Sequence, residues 1–501
     1  MNQQAILDIL PDHIDGARDF MIFGHFLEHF HRQVYGGVYD PGSQFADENG
    51  FRRDVIEALR QIRTPVIRWP GGCFVSAYPW KKGVGERVPY YDKAWRVEEP
   101  NSFGADEFLR LCREVGAEPF ICTNAGTGSP EDMSDWVEYC NLEIGEWAAQ
   151  RAANGHDEPY NVRYWSIGNE NYGHWEMGAK TADEWARLVL ESAKMMKRVD
   201  HSIELAIASI PDLDWNAAVL REAGHLLDWI SIHGYWSVAS DEGVFEKGYD
   251  NLIARAFEPE ERIVNVKHIL GSLGYLGELR IAFDEWNLRG WCHPNFMGFG
   301  PADHALMDAN DINSNYNMAD AVFTACFLNS CLRHCDVVGM ANFSPVVNTV
   351  GAIFTHEDGI VLRPTYHVFD LFANHTYGEV LHSVLRSPSF EAATGKGCSN
   401  LLRHLDAVVT RDPASGDIGI TLVNLHGKDA IGCRVRGLGA GRFREATLRA
   451  LKGATADAYN DVEQPDAVSV SESKLDIGAA NDFAVECPPH SVTVLNLRAQ
   501  G

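Results

Sequence analysis

Cations are in short supply in this chain. Lys and Arg total 43 against 70 Asp and Glu, a formal net charge of −27. That surface offers little to a phosphate backbone or an anionic membrane, so nucleic-acid and lipid-surface partners are excluded in favour of a neutral or cationic ligand. Cysteine is sparse and unpatterned: 11 residues, an odd number, without CxxC spacing. Reduced thiols fit that pattern better than a disulfide framework or a structural zinc site. No apolar run approaches the length of a membrane span, and the opening MNQQAILDILPDHIDG has no basic segment followed by an apolar core. A cytoplasmic location is expected. Low-complexity tracts and Pro- or Ser-rich linkers are also missing, so any two domains should pack closely.

What is present is a long alternation of strand and helix patterns. With 501 residues the chain exceeds one ordinary core, and a large barrel plus a smaller domain is the natural division. Strand-like runs occur at Phe20 to Gly24, Thr64 to Trp69, Glu118 to Asn124, Tyr164 to Ile167, Glu204 to Ile210, Leu226 to His233, Leu279 to Phe283 and Val337 to Phe343. Helical periodicity separates them, as at Phe51 to Gln61, Phe103 to Val115, a single long pattern from Asp132 to Arg151, Thr181 to Val199 and Met318 to Leu332. Eight strands interleaved with helices predict a (β/α)₈ TIM barrel, class α/β. After about Leu371 the texture changes to short alternating runs such as IGITLVN and VTVLNL, which predict a C-terminal β-sandwich. The expected division is 1–16 as a lone N-terminal strand, 17–370 as the barrel and 371–501 as the sandwich.

Two strands end on carboxylates. RYWSIGNE puts Glu170 just past Tyr164 to Ile167, where Gly168 frees the backbone and flanking aromatics would desolvate the acid and favour its protonated form. IAFDEW repeats the design with Asp284 and Glu285 before a turn-like Asn287. Taken alone, the first stretch reads equally well as an Asn-Glu turn capping the next helix. In a parallel barrel all strands end on one face, so Glu170 and Glu285 converge there despite their separation in sequence. A carboxyl pair about 5 Å apart is the equipment of retaining glycoside hydrolysis. Glu28, Arg68, Asn124, Asn169, His233, Tyr235 and Trp286 also fall at or just past predicted strand ends, a mixture of aromatic faces, amides and charges that suits a sugar. Each has a structural alternative: Arg68 as the ion-pair partner of Glu28, His233 as a satisfied core histidine.

GHFLEH, IRWPGG, YWSIGNEN, HGYW and FDEWN, in this order, resemble the α-L-arabinofuranosidases of the clan A retaining glycoside hydrolases, specifically the intracellular barrel-plus-sandwich family, over essentially the whole chain. The resemblance implies a double displacement that removes terminal α-L-arabinofuranosyl residues from arabinose-containing oligosaccharides. By position it makes Glu170 the acid/base and Glu285 the nucleophile, with Asn169 on the sugar's 2-hydroxyl, Glu28 and Arg68 orienting the glycone, and Tyr235 bonding the nucleophile. It further implies a jelly-roll-like sandwich that takes up the N-terminal strand and homo-oligomers that are often hexamers. The chemistry of the two carboxylates requires no metal or organic cofactor.

The sequence also departs from that pattern. Cys73 stands after Gly71-Gly72 where many members carry a sugar-contacting Asn, and Gly351 stands where many carry a glutamine. An insertion, WCHPNFMGFGPADH, puts Cys292 and His293 near the expected mouth, where with Cys73 and His233 they raise a metal or disulfide as an alternative to ordinary thiols. These changes leave the exact glycone open. The same mechanism on another furanoside or on a β-glucan or xylan chain is the second reading, and a non-catalytic carbohydrate-binding protein the third.

Overall fold

A computed structural model describes residues 4–240, 242–294, 301–394, 397–478 and 480–500. Gly24–Phe26, Val66–Trp69, Glu118–Thr123, Tyr164–Ile167, Glu204–Ala208, Trp229–Ser237, Arg280–Arg289 and Val338–Phe343 pair in chain order, all parallel, and the eighth strand closes on the first through Asn342 opposite Gly24. The period-2 alternation sorts their side chains. Val66, Phe120, Tyr164, Ala206, Trp229, Ala282 and Met340 form a separate apolar layer, one side chain from each of seven strands, that plugs the N-terminal end of the barrel. Their sequence neighbours Ile67, Ile121, Trp165, Leu205, Ile230, Ile281 and Phe283 belong to the main core shared with the surrounding helices. Charged and polar side chains above the plug are thereby confined to the C-terminal half of the barrel interior.

Local structure differs from expectation in three places. Phe20–Phe23 is a 3₁₀ turn capped by Asp19, whose carboxylate accepts from Met21 N, so the first barrel strand begins only at Gly24. The long helical pattern after Asp132 is two helices, Pro130–Asn141 and Glu146–Ala153, broken where Gly145 takes φ +114°. The seventh strand does not stop at Phe283 but runs through the two acids to Arg289.

Besides three two-stranded hairpins, nine of the remaining strands form one sheet that curls around its own apolar interior, including Leu405, Val409, Ile420, Leu422, Val435 and Leu495. The N-terminal strand Gln4–Ala17 lies inside this sheet, antiparallel to Glu379–Arg386 and parallel to Ile431–Arg436. Helix Met318–Arg333 joins the halves and is apolar on nearly every face, as a helix buried all round should be. Phe327 packs on barrel residues Phe283 and Trp286, while Asn329 binds Thr421 and Asp406 of the curled sheet at 2.7 and 2.8 Å. Among the described residues no helix is long and apolar enough to cross a membrane.

Candidate active site

The seventh strand carries the site's central device. Ala282 pairs with Ser231 and Glu285 with His233, so three steps on one strand match two on the other, the signature of a β-bulge. Ala282 faces the barrel plug and Phe283 the helices. After the bulge, Asp284 and Glu285 both face inward, and Trp286 turns outward again to stack on Phe327 with ring centroids 3.6 Å apart. Two consecutive carboxylates thus share one interior, which plain alternation forbids.

Arg68 sits between them, fully buried. Its Nη1 donates to Glu285 Oε2 at 2.7 Å, its Nε lies 3.1 Å from Asp284 Oδ2, and its Nη2 donates to Asn169 Oδ1 at 2.7 Å. The sequence suggested an Arg68–Glu28 ion pair; the structure instead gives Arg68 to the two acids of the seventh strand, whose bulge brings both within reach. Those carboxylates outweigh burial and hold the guanidinium firmly protonated. With its oxygen taken by Arg68, the buried Asn169 is left with Nδ2 unpartnered beside Glu285.

The fourth strand delivers Glu170. Gly168 takes φ +72° where a Cβ would meet Asn171 Oδ1 at 2.1 Å, and Glu170 itself takes φ +45°, a left-handed turn that re-aims the carboxylate over the barrel mouth. Trp175 Nε1 donates to its Oε2 at 2.7 Å and His233 Nδ1 lies 2.9 Å from its Oε1. Burial pushes Glu170 up, but the hydrogen bond and charge of His233 and the Trp175 bond prevail and hold it below the ordinary carboxylate value. The expectation that flanking aromatics would keep this acid protonated is therefore reversed: the indole supplies a donor as well as a desolvating face.

His233 is buried between three acids. Besides Glu170, its Nε2 lies 3.5 Å from Asp284 Oδ1 and its Nδ1 3.6 Å from Glu285 Oε2. Burial opposes its charge, yet Glu285, Asp284 and Glu170 together raise it to about 10. Its proton rests against Glu170. An oxygen of Glu170, an oxygen of Glu285 and a ring nitrogen of His233 all lie within 4.8 Å of one another. Two residues along the same strand, Tyr235 donates its hydroxyl to Glu285 Oε1 at 2.8 Å and shares a 2.8 Å bond with Ser344.

Glu28 follows the first strand and accepts from Phe74 N at 2.9 Å. Gly71, at φ +141°, makes room for it, since a Cβ there would lie 2.2 Å from Glu28 Cγ. Burial, and then the nearby Glu285, raise Glu28 well above its ordinary value and favour its protonated form. Cys73 lies near a second buried acid, Glu176, which burial raises to about 8 and whose Oε1 accepts from Ser76 Oγ.

These groups line one cavity of about 380 Å³, formed by Glu28, Cys73, Glu170, Tyr235 and Glu285 and walled by Trp95, Trp175, Trp291 and His293. The ring of His293 stacks between Trp95 and Trp291, at centroid distances of 5.4 and 6.1 Å. Several expected residues lie elsewhere. Trp286 is buried against Phe327, Phe343 and Phe369 on the far side of its strand. Asn124 caps its own loop, accepting from the amides of Gly126, Thr127 and Gly128. Gly351 is buried with its carbonyl bound to Arg363. The Cys292 backbone N–H donates to Asn310 Oδ1 and its carbonyl accepts from Asn310 Nδ2, outside the cavity lining, so Cys73, Cys292, His233 and His293 do not gather into one ligand set, and no disulfide links the described cysteines. Residues 295–300 of the insertion lie outside the described residues. Sequence reasoning named Asp284 as a strand-end acid without giving it a role, and missed Trp95, Trp175, Glu176 and Trp291. Only Asp284, adjacent to Glu285, carried a local signal.

Two family models match this chain, the α-L-arabinofuranosidase 1 domain over residues 58–251 and the α-L-arabinofuranosidase C-terminal domain over residues 284–491. The chain is 32% identical to α-L-arabinofuranosidase C of Emericella nidulans, over 98% of this chain and 97% of that protein. It is 31% identical to intracellular exo-α-(1→5)-L-arabinofuranosidase 1 of Bacillus subtilis, over 97% of each. The solved GH51 α-L-arabinofuranosidase of Thermotoga petrophila superposes with a TM-score of 0.87 at 33% identity, covering 98% of this chain and 100% of that one. Full-length identity of this order, on the same barrel and curled sheet, means that the chain belongs to the GH51 family of α-L-arabinofuranosidases.

Proposed function

We propose that this protein removes terminal α-L-arabinofuranosyl residues from arabinose-containing oligosaccharides by a retaining double displacement, with Glu285 as nucleophile and Glu170 as acid/base. The observation that carries this reading is the approach of the two carboxylates to within 4.8 Å in one walled cavity, the spacing of a covalent rather than a water-mediated attack. Arg68 and Tyr235 donate to one oxygen each of Glu285 and fix the carboxylate in position for attack on the anomeric carbon. Asn169 Nδ2 is free for the 2-hydroxyl, and neutral Glu28 can both donate to and accept from a ring hydroxyl.

The proton for the leaving group is held between His233 Nδ1 and Glu170 Oε1. As Glu285 becomes an ester, His233 loses one of the negative charges that raised it, and its proton passes through Glu170 to the departing oxygen. Glu170, now a carboxylate, takes a proton from water in the second step, and the hydroxide so generated cleaves the ester. A pocket walled by Trp95, Trp175, Trp291 and His293 suits a chain end better than a passing polymer, which supports exo action over endo-cleavage of a glucan or xylan. The relative named as intracellular supports a cytoplasmic setting, and homo-oligomerisation belongs to the same reading through the family resemblance.

Release of nitrophenol from aryl glycosides tests it, with the α-L-arabinofuranoside beside other furanosides and β-pyranosides and Glu285→Ala as blank. Preference for the α-L-arabinofuranoside is expected. Turnover confined to another sugar would overturn the assignment of the glycone.

A further inference from the structure

Two histidines and a carboxylate meet on the outer face of the curled sheet. His13 and Asp15 both lie on Gln4–Ala17, with their side chains 3.5 Å apart. On the antiparallel neighbour Glu379–Arg386, Ile14 pairs with Leu381, and His382 on that strand lies beside His13. Their rings lie 5.1 Å apart, edge to face, with Asp15 between them: Oδ1 is 3.1 Å from His382 Nδ1 and 3.5 Å from His13 Nε2. One ligand atom from each residue falls within 4.8 Å of the other two.

We propose that His13, Asp15 and His382 form a binding site for a zinc-type divalent transition ion that clips the N-terminal strand to the curled sheet. Four ligands about 2.0–2.1 Å from a tetrahedral ion lie about 3.3–3.4 Å from one another, and the two distances to Asp15 bracket that edge. The third edge, between the imidazoles, closes by rotation of side chains that are 63% and 43% exposed and free to turn. Two imidazoles and one carboxylate suit zinc, cobalt, nickel or copper and disfavour magnesium and calcium, which take oxygen ligands. The fourth vertex points to solvent and takes water.

The position gives the ion something to do. Strand pairing slips on both sides of the site, between Ile9 and Ile14 and again between Ile14 and Gly16, so the ladder is interrupted where the ligands stand. Asp15 and His382 are 367 residues apart, and a link that closes so long a loop removes more freedom from the unfolded chain than a local one would.

The test is calorimetric titration of metal-stripped full-length protein with zinc chloride, beside His13→Ala and His382→Ala. The expected result is one zinc per chain that raises the thermal midpoint, an affinity at least about tenfold weaker in each variant, and hydrolysis unchanged in all three. No heat of binding in the unaltered protein would overturn the proposal. So would equal binding in the variants, or zinc that abolishes hydrolysis by occupying Glu170, His233 and Glu285 instead.

Discussion

Replacing His233 by Gln keeps the side chain's size and polarity and deletes a positive charge from the midst of Glu170, Asp284 and Glu285. Between an ordinary imidazole at 6.5 and the buried one at about 10, at about 1.4 kcal/mol per pH unit, the bound proton contributes up to about 5 kcal/mol to folding. A group raised in the folded state gives that contribution in full below its unfolded value and loses it as pH rises through the folded one. The window is therefore pH 6.5 to 10. Urea unfolding followed by tryptophan fluorescence, at pH 6, 7.5, 9 and 10, should show the unaltered protein losing stability relative to the variant across that window. Titrating groups that do not face His233 are common to both chains and cancel in the difference. In the variant the leaving-group proton must rest on Glu170 alone, so the basic limb of kcat/KM should move down from the value near 10 that His233 sets in the unaltered protein. Parallel stability curves with an unmoved basic limb would refute the charged histidine.

Further expectations follow from the same geometry. Glu176, raised to about 8 from 4.5 by burial, loses stability as pH rises through that interval. Glu176→Gln should accordingly leave stability at pH 4.5 unchanged and raise it at pH 8 and above, by up to about 5 kcal/mol, read by urea unfolding. Trp286→Ala should cost about 3–5 kcal/mol of stability with KM little changed in the fraction that folds, because the indole packs on Phe327 and not on substrate. Tyr235→Phe should keep the fold and lower kcat by about 10- to 100-fold, the loss of one hydrogen bond to a charged group at about 1.5–3 kcal/mol, with steady-state kinetics as the check.

The barrel was legible because its signal is local: apolar runs, helical periodicity and Gly-bounded turns repeat along the chain, and the motifs around Glu170 and Glu285 sit where a parallel barrel gathers its strand ends. What escaped the sequence is relational. The bulge between Ala282 and Glu285 is defined only against Ser231 and His233 on the neighbouring strand, and without it Asp284 is an adjacent acid rather than half of the Arg68 clamp. The same bulge sends Trp286 outward, so its place beside Glu285 in sequence misled. Trp95, Trp175 and Trp291 come from loops of irregular backbone, where no periodicity points a side chain. Glu170 misled for a different reason. Its aromatic neighbours were read as desolvating surface, whereas one indole N–H and one imidazole bind the anion.

The central claim is that Glu285 is the nucleophile and Glu170 the acid/base, and NMR of the sugar azide formed by each variant in the presence of azide tests it most directly. Glu170→Ala should accumulate its glycosyl ester from an aryl α-L-arabinofuranoside and be rescued to an azide of retained α configuration. Glu285→Ala should give no retained product, only the inverted β azide if azide enters the vacated space. A retained azide from Glu285→Ala and an inverted one from Glu170→Ala would exchange the two roles and contradict the account.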